Sequence, residues 1–163
     1  MEQTMIRSAL LLAGLGLMAM SSASPAIAES DTPPPAYDEA LAKTVGADDY
    51  GMRSYVMVIL KTGPNKVPEG PERSEMFKGH FANMKRLAEE GKLAVAGPFD
   101  GAEGWRGMFI FAVSDIEEAK SLVATDPVIK SGEMVAEYHK YYGSAALMMV
   151  NEQHAKIAKK NPG

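Results

Sequence analysis

Two short segments of this chain, 55–60 and 108–111, are apolar at every position and rich in β-branched and aromatic residues. That composition is typical of β-strands. A strand with one buried face alternates apolar and polar residues. A strand whose odd and even positions are both apolar has two apolar faces, and both faces of its sheet must then be covered. The fold of this chain therefore has to provide two covering layers.

The segments around these two runs predict six elements in the order strand, helix, strand, strand, helix, strand. The expected bounds are 54–61, 74–90, 93–96, 107–113, 115–124 and 134–142. The first helix carries apolar residues on one face (Phe77, Phe81, Met84 and Ala88), and Gly91 ends it. The βαββαβ order predicts an α+β, ferredoxin-like protomer with a four-stranded antiparallel sheet. Right-handed crossovers place both helices on one face of that sheet.

The opposite face of the predicted sheet is apolar and has no helix to cover it. An exposed patch of that size is prone to aggregation, so we expect a second copy of the chain to pack against it, face to face. The result is a symmetric homodimer, a dimeric α+β barrel with an interior between the two sheets. The alternative is that the chain's own N-terminal arm or C-terminal tail covers this face.

The N-terminus has the pattern of a secretory signal peptide. Arg7 supplies positive charge, residues 9–20 form an uncharged apolar run, and Ala26 and Ala28 provide small side chains for cleavage after Ala28. The run is shorter than the ~20 residues that an uncleaved anchor helix needs. We therefore expect a periplasmic or secreted protein with no membrane contact after cleavage.

The remaining sequence predicts three further segments. A proline-rich spacer and short arm span 29–51, with helical turns from Asp38 to Val45 that end at Gly46. The compact domain spans 52–146, and a polar, lysine-rich tail spans 147–163.

Composition excludes several classes of function. The 163 residues suit one folded domain, and the chain has no cysteine, which excludes disulfides, thiolate metal sites and cysteine nucleophiles. The net charge of -4 argues against nucleic acid as a partner.

Three titratable residues are candidates for catalysis. His80 lies on the rim of the apolar face of the first helix, where leucine or alanine is more usual. Asp100 lies in a Pro-Phe-Asp-Gly turn, and Asp126 precedes Pro127 at the start of a short helical turn. The topology brings all three to one end of the sheet, where a histidine beside a carboxylate can act as an acid–base group. Each residue also has a purely structural explanation. His80 can be a half-buried histidine that donates to a backbone carbonyl. Asp100 can bond the backbone of its own turn, and Asp126 can cap the short helix that Pro127 begins.

Aromatic and polar side chains are candidates for lining a pocket, with Phe99 and Trp105 in the loop at this end and the strand tyrosines in the cavity between the two sheets. They are Tyr55, Phe99, Trp105, Tyr138 and His139. Glu137 and His139 share one side of the last strand, but two candidate ligands are too few to predict a metal site. We expect no cofactor.

The motifs resemble the YCII-related (YciI-like) family. They are the Gly79–Leu93 segment with its histidine, the Ala-Gly-Pro-Phe segment at 96–99, and the Asp-Pro segment at 126–132. The resemblance extends from about Tyr55 to Gly143. It implies a dimeric α+β barrel and a histidine–aspartate active site of undefined activity in most members. The histidine corresponds to His80, and Asp126 matches the aspartate better than Asp100.

Three functions are compatible with these features. The first is a cofactor-free enzyme in which His80 moves a proton on a small organic substrate, as an isomerase, lyase or hydrolase. The second is a dimer that binds a small ligand without converting it. The third, by analogy of fold alone, is a haem- or metal-dependent oxidoreductase.

Overall fold

The structure is a computed structural model that describes residues 36–160. The predicted signal peptide (1–28) and most of the spacer lie outside this range. The helices are α1 (Glu39–Val45), α2 (Pro71–Glu89), α3 (Ile116–Val123), α4 (Pro127–Lys130) and α5 (Val150–Ile157). The strands are β1 (Met52–Thr62), β2 (Leu93–Pro98), β3 (Trp105–Phe111) and β4 (Met134–Ser144). Two short 3₁₀ turns, Ala102–Gly104 and Ala145–Met149, precede β3 and α5.

The four strands form one antiparallel sheet in the order β2-β3-β1-β4. The central strand β1 pairs with both β3 and β4, so that Val58 lies opposite Phe109 on one side and Tyr138 on the other. This arrangement confirms the predicted ferredoxin-like α+β fold. The main difference in bounds is that α2 begins at Pro71 rather than at 74, because a proline is favourable in the first turn of a helix.

One face of the sheet carries the main hydrophobic core, and α2, α3 and α4 all pack on it. The sheet contributes residues such as Val56, Phe109 and Phe111, and the helices contribute Leu87, Val123 and Val128. Both predicted helices therefore lie on the same face, as the right-handed crossovers require.

The helix ends are set by local sequence signals. Asp38, Asp115 and Asp126 are the N-caps of α1, α3 and α4, and each side chain accepts hydrogen bonds from backbone N–H groups of the first turn. Gly46 ends α1 in the left-handed conformation that glycine adopts without strain. All four positions agree with the sequence patterns.

The C-terminal segment covers part of the helix-free face. Leu147 and Met148 pack against a second cluster formed by Tyr55, Ala94 and Ile110. The Tyr55 hydroxyl donates to the Ser144 carbonyl at 2.9 Å, and Asn151 Nδ2 donates to the Leu93 carbonyl at 2.7 Å. The C-terminal segment thus covers part of the sheet face on which we expected a second copy of the chain to pack.

The N-terminal arm is also fastened to the domain. Arg53 Nη1 donates to the Val45 carbonyl at 2.8 Å. The Tyr142 hydroxyl donates to the Asp48 carboxylate, and this hydrogen bond lowers the pKa of Asp48. These contacts fix α1 against the end of β1 and β4.

The rest of the helix-free face lies open along β4. Val135 and Tyr141 are 44% and 38% exposed, and Glu137 and His139 project between them on the same side of the strand. These four side chains, Val135, Glu137, His139 and Tyr141, form the open strip. Within residues 36–160, no helix is long and apolar enough to cross a membrane.

Candidate active site

His80 is buried between α2 and the sheet. It is the tenth residue of α2, in the middle of the helix and further from its start than the sequence analysis expected. Its side chain is 10% exposed. The rings of Phe77, Phe81 and Phe109 surround the imidazole, with centroids 6.2, 5.5 and 6.1 Å away. A histidine in such an apolar place needs a polar partner.

Asp126 is that partner. Its side chain is completely buried, and its Oδ2 atom lies 2.8 Å from His80 Nδ1. The other oxygen, Oδ1, accepts a hydrogen bond from the Val128 N–H at 3.1 Å, which is the cap of α4. One carboxylate therefore both begins a helix and fixes the orientation of the imidazole.

The geometry also assigns the imidazole proton. A carboxylate that accepts from Val128 is best matched by a second donor, so we place a proton on Nδ1 of His80. Nε2 has no hydrogen-bond partner within residues 36–160. In the same range, every fully buried side-chain nitrogen or oxygen has a partner, so Nε2 is not fully buried. We infer that Nε2 accounts for the small exposed part of the ring.

Asp100 does not pair with His80. Its Oδ1 atom accepts from the Ala102 N–H at 3.0 Å, and the side chain is exposed in the loop after β2. Asp100 therefore has the structural role that was the alternative to catalysis. It stabilises a turn, because an aspartate side chain readily accepts from the backbone N–H two residues further on.

Two of the predicted pocket residues do line a cavity. Phe99 and Trp105 have ring centroids 5.6 Å apart and border a cavity of about 180 Å³ with Asp100, Ala102 and Glu103. A polar cavity of about 370 Å³ lies around Arg53, Lys92 and Ser114. Neither of these two cavities is lined by His80 or Asp126.

The expected places of two tyrosines are wrong. Tyr55 is completely buried beneath the C-terminal segment, and burial raises the pKa of its hydroxyl. Tyr138 packs on the helix-covered core, since it shares its side of β4 with Ala136. Burial, followed by the charge of Glu117, raises the pKa of Tyr138. Neither side chain lines a space between two sheets.

His139 and Glu137 share one side of β4 as expected, and both are exposed. His139 Nε2 lies 2.7 Å from Glu137 Oε1, and Lys61 forms an ion pair with the same carboxylate. Hydrogen bonds from Lys61 and His139 lower the pKa of Glu137, and the one from Lys61 is the larger cause. No group of three potential metal ligands occurs among the residues that the structure describes.

Sequence reasoning missed a buried charge cluster near the start of α2. Glu133 is 2% exposed, and its Oε1 lies 2.8 Å from Arg73 Nη1 and 3.6 Å from Arg106 Nη1. Its Oε2 accepts from the Val67 N–H at 2.8 Å. Burial alone raises the pKa of Glu133, but these hydrogen bonds and the two arginines outweigh it and leave the pKa below the ordinary 4.5. The three charged residues are far apart in sequence, so no local pattern indicates the cluster.

The fold and this site define a small α+β domain with a buried histidine–aspartate pair between α2 and α4. The family model of the YCII-related domain matches residues 54–139. The chain belongs to this family, and the resemblance noted from its motifs is confirmed.

The chain is also similar to individual proteins. The uncharacterized protein YjpA of Bacillus subtilis (strain 168) is 30% identical over 81 residues, which are 50% of this chain and 85% of YjpA. Among solved structures, the chain is similar to 5-chloro-2-hydroxyhydroquinone dehydrochlorinase (TftG) from Burkholderia phenoliruptrix AC1100, in complex with 2,5-dihydroxybenzoquinone. That match has 20% identity and a TM-score of 0.39, and it covers 53% of this chain and 92% of TftG.

Proposed function

We propose that this protein is a cofactor-independent enzyme that moves a proton on a small organic molecule, with His80 as the acid–base group. The observation that carries the proposal is the 2.8 Å contact between the buried Nδ1 of His80 and Oδ2 of Asp126. A carboxylate that holds Nδ1–H leaves Nε2 as the acceptor of a substrate proton and, once protonated, as its donor.

The surroundings of the pair support this role over a purely structural one. A histidine with only a structural role needs a hydrogen-bond partner but no contact with solvent or substrate. We infer instead that Nε2 of His80 reaches the surface. The aromatic rings around His80 exclude water from most of the imidazole. Proton transfer in a poorly hydrated place avoids competition from solvent.

Comparison of two histidine variants tests the proposal. A panel of small carboxylic acids, phenols and ketones is screened for binding by the change that each compound causes in the thermal unfolding temperature. Products are then analysed for each compound that binds. We expect His80→Asn to lower turnover by about 10²–10⁴-fold, the usual contribution of an acid–base group.

The matched control is His154→Asn, because His154 is exposed on α5 and far along the chain from the pair. It should retain wild-type turnover. Full activity of His80→Asn contradicts the proposal, and a ligand that is bound but recovered unchanged by the wild type identifies a binding protein instead.

A homodimer is the second part of the proposal. The open strip presents Val135 and Tyr141 beside the Lys61–Glu137 ion pair, so a two-fold related copy can match apolar with apolar side chains and opposite charges with one another. The interface is smaller than a whole sheet face, since the C-terminal segment already covers Tyr55 and Ile110.

Export is the third part, and it depends on the signal-peptide pattern of residues 1–28. Native mass spectrometry of the protein recovered outside the cytoplasm tests both this and the dimer. We expect a complex of two subunits, each beginning at Glu29. A monomer at micromolar concentration contradicts the dimer, a subunit that retains Met1 contradicts cleavage of the signal peptide, and recovery of the protein only from the cytoplasm contradicts the export.

A further inference from the structure

The contact between α2 and α4 is unusually close beside the His80–Asp126 pair. Gly79 immediately precedes His80, and Pro127 immediately follows Asp126. A Cβ atom built on Gly79 would lie 2.9 Å from Pro127 Cγ, closer than real Cβ contacts. Glycine destabilises a helix interior relative to alanine, so its presence here indicates that the close approach matters.

The proline ring transmits its position directly to the aspartate. Pro127 is the first residue of α4 and its ring fixes the backbone torsion φ, while Asp126 is the cap that binds the Val128 N–H. The Asp126 carboxylate is therefore tied to the first turn of α4, which Pro127 begins. We expect a displacement of Pro127 to displace the Asp126 carboxylate as well.

A second contact holds the same two elements on the solvent side. The Thr125 hydroxyl lies 2.9 Å from Asn83 Oδ1, to which Arg86 Nη2 donates at 2.8 Å. Thr125 precedes Asp126, and Asn83 lies one helical turn after His80. Both contacts are exposed, and they oppose a separation of α2 from the start of α4.

We propose that Gly79 and Pro127 are positioning residues that set the separation between His80 Nδ1 and Asp126 Oδ2. Their importance for catalysis rests on the proposed function, but their effect on the pair does not. A side chain at position 79 pushes Pro127 away and weakens the hydrogen bond, and removal of the proline Cγ restores the room.

A double-mutant cycle measured by NMR tests this inference. Protein labelled with ¹⁵N in its histidines is prepared as wild type, Gly79→Ala, Pro127→Ala and the double variant, and solvent exchange of the His80 Nδ1–H is measured. We expect exchange at least about tenfold faster in Gly79→Ala, since a weakened buried hydrogen bond opens more often. In the Pro127→Ala background the same change at Gly79 should have little effect.

Lys85→Ala is the matched control, because it places an alanine on the exposed side of the same helix. It should leave the exchange rate unchanged. Wild-type exchange in Gly79→Ala overturns the inference. If Gly79→Ala does not fold, the double variant provides the test. Exchange of the His80 Nδ1–H that is much faster in the double variant than in Pro127→Ala also overturns the inference.

The readout does not depend on turnover. A changed exchange rate supports the positioning role even if His80→Asn proves active. An unchanged rate overturns it even if His80→Asn proves inactive.

Discussion

Replacement of Asp126 by alanine is expected to lower the free energy of unfolding by about 3 kcal/mol, as the sum of two losses. The N-cap of α4 is lost, which typically costs ~1 kcal/mol. The imidazole of His80 is also left without its partner in a buried place, which typically costs ~1–3 kcal/mol. Urea unfolding followed by circular dichroism measures the change.

Two variants separate these contributions. Asp115→Ala removes the exposed cap of α3 without touching a histidine, and its expected cost is only about 1 kcal/mol. Asp126→Asn keeps the volume and the capping oxygen, so it should cost less than Asp126→Ala. Equal losses in Asp126→Ala and Asp115→Ala would show that the buried pair adds nothing to stability.

Replacement of Arg73 by methionine is expected to cost about 3–4 kcal/mol, because it breaks a buried ion pair and leaves one charge behind. Among residues 36–160, Glu133 then keeps only the Val67 N–H and the more distant Arg106 as partners of its carboxylate. The double variant with Glu133→Gln should recover part of the loss, since it removes the unpaired charge. A loss below about 1 kcal/mol in the single variant would contradict the expectation.

The same cluster predicts how stability depends on pH. The pKa of Glu133 is lowered in the folded protein relative to its ordinary 4.5. A lowered pKa means that the stabilisation is fully present above about pH 4.5 and is lost as the pH falls through the lower, folded-state pKa. Glu133→Gln should therefore be less stable than wild type at pH 7 and lose less stability on acidification.

Glu89→Gln is the control for this titration, because Glu89 is exposed and its only ion pair within residues 36–160 is with Lys85 of the same helix. Its unfolding free energy should remain within about 0.5 kcal/mol of wild type. A pH dependence of Glu133→Gln that is as steep as that of wild type would show that other carboxylates dominate.

The sheet, the helix order and the caps follow from local signals. Continuous apolar runs predict β1 and β3, and the cap residues Asp115 and Asp126 lie next to the helices that they begin. Such features need only neighbours within a few residues, so the sequence contains the information directly.

Features that join distant segments did not follow in the same way. The pattern left Asp100 and Asp126 both open as partners of His80, and only the resemblance favoured Asp126. Tyrosines occur at both odd and even positions of β4, and therefore on both faces of the sheet. The alternation of residues could not show that Tyr138 faces the helices. Glu133 lies in the turn immediately before β4, where no side-chain periodicity indicates that it is buried.

By itself, the sequence therefore determined the secondary structure, its order and hence the topology, because hydrogen-bond caps and side-chain periodicity act over short distances. Only the tertiary structure decided which aspartate meets His80, which arginines neutralise Glu133, and that the C-terminal segment packs on the sheet. These contacts depend on the distance between residues far apart in the chain, and the packing of whole helices and strands sets that distance.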